Sequence, residues 1–253
     1  MMKRLNCLML LSSALALPVQ ADMLGFTVDI GAWNVDSTGS LSDTTKSEMQ
    51  DFDLGSSGTG VFSLAFEHPI PIIPNFKLRT NDLSAEDDVR LSGSFSYAGV
   101  DYDAGSDVNM EFDVQSSDFI FYYEVFDNDV LSFDFGLNLK YLDGDIRFES
   151  KDDANQASQD HFKGYVPMLY GATEIGIPAT RFSLYGDINI LSIGDHTLQD
   201  YQAGVAFGLV ESLPVDVRLK GGYRRFSLEL DDLDGIYTDW AFEGLYLGLQ
   251  ADF

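Results

Sequence analysis

The ionisable residues with the most telling spacing sit on alternate positions of otherwise apolar runs. Between residues 131 and 141, Asp134 and Lys140 share one parity with Ser132, Gly136 and Asn138, while Leu131, Phe133, Phe135, Leu137, Leu139 and Tyr141 share the other. The same reading places Asp29, Glu67, Glu124, Glu174, Asp187, Asp216 and Asp252 on a polar parity, together with Lys77, Arg79, Arg218, Lys220 and Arg224. Acids and bases nearly balance there. Charges repeated at a period of two can pair into a network that fills a narrow interior, or line a polar pore that selects ions. A small barrel leaves little lumen, which ranks the ion-pair network first. Arg218, Lys220 and Arg224 form the most concentrated positive feature in either case.

A period of two is the period of a β-strand with one apolar and one wet face. The last stretch is a further case: Leu245, Leu247, Leu249, Ala251 and Phe253 alternate with Tyr246, Gly248, Gln250 and Asp252. A strand that ends on an aromatic residue resembles the closing strand of bacterial outer-membrane β-barrels, and that resemblance implies that these five residues are read by the machinery that inserts such barrels. Strands are expected at 24–33, 60–68, from 76 through 89–97, 108–126, 131–141, 162–177, 181–193, 198–210, 215–230 and 240–253. Segment 108–126 changes parity near Ser116 and Ser117, which predicts a bulge, or a hidden turn that would raise the count from about ten strands to twelve. Short and long connections alternate. This is the habit of an all-β, transmembrane, up-and-down antiparallel barrel with short periplasmic turns and long outer loops. Both termini then fall on the periplasmic side.

Composition agrees. Lys3 and Arg4, an apolar run over 8–17 and a small residue at Ala21 have the three parts of a secretory signal. Residues 1–21 are therefore expected to be a cleaved leader and 22–253 the barrel. The single cysteine, Cys7, falls in that leader, so disulfide and thiolate chemistry are not expected beyond it. Loss of Lys3 and Arg4 takes the formal charge from −26 to −28, which argues against nucleic acid as a partner. The surplus carboxylates are expected in outer loops, with Asp36, Asp43, Glu48, Asp51 and Asp53 in a loop over 35–57 and Asp82, Glu86, Asp87 and Asp88 in a second patch. Asp152, Asp153 and Asp160 form a third, and Asp231, Asp232, Asp234 and Asp239 a fourth. Charge runs of this kind are first of all solvated surface. A functional role would be weak recruitment of divalent cations, bridging to lipopolysaccharide.

The segment Glu67-His68-Pro69-Ile70-Pro71-Ile72-Ile73-Pro74-Asn75 cannot continue a ladder, because its three prolines lack the donor. With the run over 121–128, Phe-Tyr-Tyr-Glu-Val-Phe-Asp-Asn, it resembles a family of uncharacterised Gram-negative outer-membrane β-barrel proteins across nearly the whole chain. The resemblance implies fold and location and carries no activity.

Enzymatic chemistry finds no matching pattern. His68 precedes Pro69 and reads as a turn-fixing residue. His161 and His196 lie near outer strand ends, where outer-membrane hydrolases place their sites, and the omptin-type proteases are the natural comparison at about ten strands. Asp195 and His196 are adjacent, however, so their side chains point to opposite faces of a strand. An EF-hand around Gly235 fails because Leu230 and Ala241 occupy its first and last ligand positions. No catalytic residue, metal site or cofactor is expected. Trp33, Tyr141, Tyr165, Tyr201, Tyr223, Tyr237 and Trp240 are expected in the aromatic girdle at the membrane interface. The leading expectation is a non-enzymatic outer-membrane barrel that meets lipid, lipopolysaccharide, ions or a partner. A narrow channel comes second and a membrane-embedded hydrolase third.

Overall fold

The computed structural model describes residues 24–42, 49–128, 130–153, 155–212, 215–233 and 236–253. The expected leader over 1–21 lies outside them, as do Asp43, Glu48 and Asp234 of the acidic patches. In chain order the strands are β1 (Gly25–Ser42), β2 (Gln50–Glu67), β3 (Asn75–Arg90), β4 (Phe95–Tyr97), β5 (Val100–Tyr102), β6 (Asp107–Asp127) and β7 (Leu131–Ser150). They continue with β8 (Ala157–Gly176), β9 (Phe182–Ile193), β10 (His196–Ser212), β11 (Val215–Leu233) and β12 (Ile236–Asp252). All but β4 and β5 form one closed antiparallel barrel of ten strands, with β1 meeting β12 from Thr27 opposite Asp252 to Ser42 opposite Tyr237. Closure pairs the backbone groups that a membrane could not solvate. The two remaining strands make a separate hairpin in the β3–β6 connection, turning on Ala98 and Gly99, both at positive φ.

The connections of β2 to β3, β6 to β7, β8 to β9 and β10 to β11 are short and lie at the end that carries Gly25 and Asp252. His68 fixes the first of them. Its backbone N–H donates to Asn75 Oδ1 at 3.1 Å and its ring Nδ1 accepts from the Ile70 N–H at 3.2 Å.

Near this end the outer face is apolar. Phe121, Tyr123, Phe133, Phe135, Leu137, Leu139, Leu169, Leu184, Leu247 and Leu249 are exposed on it. Facing inward, Arg79, Asp118, Asn138, Lys140, Asp200 and Arg224 are buried. This half is a lipid belt around a polar interior.

Further along the same strands the polarity inverts. Val35, Phe52, Leu54, Val108, Met110, Phe112, Val114 and Phe148 are buried, and Asp36, Asp51, Asp53, Asp113 and Arg147 are exposed. On β6 the crossover falls at Ser116, yet Met110, Phe112, Val114, Ser116, Asp118, Ile120 and Tyr122 stay on one continuous inward parity. Pairing with β7 runs unbroken through Ser116 and Ser117, and the only bulge in that ladder lies between Glu124 and Phe126. The expected bulge at Ser116 is therefore absent. The strand keeps its phase while its surroundings change from lipid outside to water outside.

Two ladders stop at the height of this inversion. β2 and β3 pair only from Val61 opposite Asn81 to Phe66 opposite Phe76, and β8 and β9 only from Leu169 opposite Ile190 to Gly176 opposite Ser183. Pro167, two residues beyond Leu169, has no N–H with which to extend the second ladder. Above these points β11, β12, β1 and β2 form one sheet and β3, β6, β7 and β8 another. They face each other across an apolar core, with Phe112 at 6.0 Å from Trp240 and 5.1 Å from Phe242, and Phe52 at 5.5 Å from Phe148. The outer part of the molecule is thus a small sandwich built on the barrel.

Several expectations change with this. The segment 35–57 is strand over most of its described length, and its carboxylates sit on outward strand positions, as do Asp82, Glu86 and Asp88, while Asp160 is exposed but in phase with the inward Ser158 and Phe162. β3 ends at Arg90 and does not run on to Tyr97. Instead the β4–β5 hairpin folds over the core, burying Phe95, Tyr97 and Tyr102 against Phe148. Trp33 and Trp240 are buried inside rather than placed in the girdle. Tyr165 and Tyr223 do face out in the belt, and Tyr165 packs on Tyr141 at 4.9 Å.

Candidate functional site

The interior is stratified along the barrel axis. At the short-turn end a cavity of about 240 Å³ is lined by Asp29, Glu67, Lys77, Glu124, Asp134, Glu174, Asp187, Arg218 and Lys220, with Tyr122, Tyr170 and Tyr185 among them. Lys220 Nζ lies 3.0 Å from Asp29 Oδ2 and 4.3 Å from the centre of the Tyr185 ring. Tyr122 donates to Glu67 at 2.7 Å, and the Tyr246 hydroxyl donates to Asp29. Tyr246 can lie across the wall because Gly31 and Gly248 leave room, since a Cβ on Gly31 would meet its ring at 2.5 Å. Arg218 pairs with Glu174 and, at 3.1 Å, with Asp252.

Above the cavity is a closed layer of charge. Arg79 spans three carboxylates, Asp118 at 3.0 Å, Asp187 at 2.9 Å and Asp200 at 3.1 Å. Lys140 reaches Asp118 at 2.8 Å and Asp200 at 3.0 Å, and Arg224 reaches Asp200 at 2.9 Å and donates to Asn81 Oδ1 at 3.1 Å. Three cations thus face three carboxylates. The side chains of Lys140 and Asp200 are 0 % exposed. Such a layer is tolerable only because each charge has several partners, and removing one partner from a buried pair typically costs about 3–5 kcal/mol. The layer is roofed by apolar rings, with the Arg224 guanidinium 4.6 Å from the Trp33 ring centre and Lys140 Nζ 5.0 Å from that of Phe226. The aromatic core and the β4–β5 hairpin lie beyond.

Thirteen of the fourteen charged residues read on the polar parity therefore line the cavity or build the layer above it. Asp216 does not. It is exposed at the rim, in a separate depression with Arg218 and Asp252. The spacing argument passed over Asp118 and Asp200, the two carboxylates at the centre of the layer. Parity alone would have found them, since Asp118 is in phase with Tyr122, and Asp200 with Gln202 and Gly204. In the closing strand Leu245, Leu247, Leu249 and Phe253 face out, and Phe253 N–H donates to Phe26 O at 2.9 Å.

Outside the barrel His161 lies 3.5 Å from Asp143 and 3.3 Å from Asp145, just beyond the Tyr141–Tyr165 pair. His196 Nδ1 accepts the Asp231 N–H at 3.2 Å. Among the described residues no three His, Cys, Asp or Glu side chains group as metal ligands would. Asp88 takes hydrogen bonds from Lys151 and from Asn109, which hold its carboxyl below the ordinary range.

No family model matches the chain, and no curated protein matches it. Solved structures do. The outer membrane protease OmpT from Escherichia coli aligns with 93 % of this chain and 100 % of its own, at 11 % identity and a TM-score of 0.57. The transport unit of the autotransporter AIDA-I from Escherichia coli covers 92 % of this chain and 91 % of its own at 10 % identity and a TM-score of 0.38. Ail, the attachment invasion locus protein of Yersinia pestis, covers 92 % and 100 % at 11 % identity and 0.36. At these identities the likeness is one of fold. Closed wall, apolar belt and short turns at the end that carries the termini define a Gram-negative outer-membrane β-barrel, with its termini periplasmic and its remaining connections, two of which are as short as the periplasmic turns, outside the cell.

Proposed function

We propose that this barrel is a non-enzymatic envelope protein. Its lumen holds the wall together, and its acidic outer sandwich is the surface that meets ions, lipopolysaccharide or a partner. The observation that carries the reading is the full burial of Lys140 and Asp200 beneath an aromatic core, which favours a plugged lumen over a pore. The carboxylates of the outer strands, from Asp51 and Asp53 to Asp82 and Asp88, remain in water. Weakly held divalent cations would let such a surface bridge to the phosphates of lipopolysaccharide. The closing strand through Phe253 fits recognition by the barrel-insertion machinery, and the proline turn after Glu67 fits the uncharacterised barrel family that it resembles.

The test is single-channel current from folded protein in a planar bilayer, with and without calcium. A silent, folded barrel is expected. Discrete steps that change when Arg218, Lys220 or Arg224 is neutralised would replace this reading with a narrow channel. Activity lost on replacing His161 or His196 would replace it with a hydrolase.

A further inference from the structure

The periplasmic cavity is strongly unbalanced in charge. Eight carboxylates line it against the three bases Lys77, Arg218 and Lys220. Asp187 is one of the eight and pairs with Arg79 of the layer above, which leaves seven carboxylates against three bases. Two groups in the cavity make no hydrogen bond to a described side chain. Tyr170 is 3 % exposed, its ring lines the cavity, and its hydroxyl has no hydrogen-bond partner among the described residues. Asp134, which also lines the cavity, accepts no hydrogen bond from a described side chain. A hydroxyl that faces a cavity and bonds to no side chain is free to meet an occupant. The cavity is roomy enough for an occupant that would satisfy it.

The same cavity already shows how it holds an ammonium group. Lys220 is gripped by the Asp29 carboxylate at 3.0 Å and the face of Tyr185 at 4.3 Å. Asp134 and Tyr170 offer a second carboxylate and a second tyrosine. The nearest cation there, Lys77, stands 6.0 Å from the Tyr170 ring centre and forms no ion pair with a described carboxylate. The geometry points to a binding site for a small organic cation of the alkylammonium class, entering from the periplasm. Its ammonium sits between Asp134 and Tyr170 and repeats the grip on Lys220. Tyrosine faces favour an alkylammonium through cation–π attraction. A metal ion would need three or more converging ligands, which the described residues do not supply. At about 240 Å³ the cavity is smaller than the ~300–1,000 Å³ of drug-sized sites, so the ligand is of metabolite size. This site does not depend on the outer acidic surface.

The experiment is calorimetric titration of the folded barrel in non-ionic detergent at low salt, with 1,4-diaminobutane as probe and magnesium in a parallel arm. Saturable one-to-one binding of the diamine is expected. Asp134→Asn should weaken it by about tenfold or more and Tyr170→Phe by about threefold. Asp53→Asn, on the outer wall, should leave it unchanged. Folding of each variant is read from the mobility of unheated protein on a gel, and Tyr170→Phe decides alone if Asp134→Asn does not fold. The proposal is overturned by an absence of saturable heat, by affinity that ignores both variants, or by magnesium binding equally well at the same residues.

Discussion

The two halves of this molecule are made from the same ten strands and obey opposite rules. In the belt, apolar side chains face out and charges face in. In the outer sandwich, apolar side chains face in and charges face out. Nothing in the backbone marks the change, since β6 and β7 pass through it in unbroken register. What differs is the solvent on the outer side. In lipid the outer face must be apolar, which leaves the polar residues to satisfy one another inside. In water the outer face can be carboxylate, and the strands are then held by burial of apolar surface, as in a soluble sandwich.

The sharpest test of that contrast is the centre of the charge layer. Asp200→Ala leaves Arg79, Lys140 and Arg224 facing two carboxylates instead of three, and should cost about 3–5 kcal/mol in denaturant unfolding from lipid. Phe148→Ala, in the sandwich core beneath the β4–β5 hairpin, should cost about 3–4 kcal/mol. Hydrogen exchange would separate these two. The second variant should loosen the outer strands while amides of the belt stay protected, and equal loosening of both halves would show that they are one cooperative unit. Leu137→Arg and Asp145→Arg lie on the same face of β7, one in the belt and one beyond it. The first should cost about 2–4 kcal/mol near the bilayer midplane. The second should cost less than about 1 kcal/mol, since half-exposed Asp145 loses only its contacts with His161 and Gln159. Equal costs would mean that the belt is misplaced.

The smallest effect expected is one of pH. The Asp88 carboxyl is held below its ordinary range, first by the hydrogen bond from Lys151 and then by that from Asn109. A depressed carboxyl stabilises the fold at pH values above its unfolded pKa, and that contribution fades as pH falls through the folded one. Melting measured from pH 7 downward should show a slight acid loss in the outer half that Asp88→Asn removes. The group is fully exposed, so the change is expected near the limit of detection.

The belt was legible in the sequence to a high degree. Leu131 through Tyr141 and Leu245 through Phe253 alternate so regularly that their outward residues could be named, and the inward charges followed from the same parity. The outer half was misread for one reason. Alternation identifies a strand and its two faces, but an apolar face means outside in lipid and inside in water. Met110, Phe112 and Val114 would face lipid by that rule, which is why segment 108–126 reads as a change of parity although they point into the sandwich core. Residue type alone points Trp33 and Trp240 to the interface, and the acidic strand faces have the composition of loops. Asp118 was lost at the supposed bulge.

By itself the sequence determined the period, the strand number, the location of the short turns and the abundance of charge on one parity, because each is a local property of neighbouring residues. Which three carboxylates meet Arg79, where the two ladders end, and what fills the space between the sheets were decided only by the closed wall. Asp118, Asp187 and Asp200 come from three different strands, and they converge because barrel closure brings inward faces from opposite sides within reach of one guanidinium.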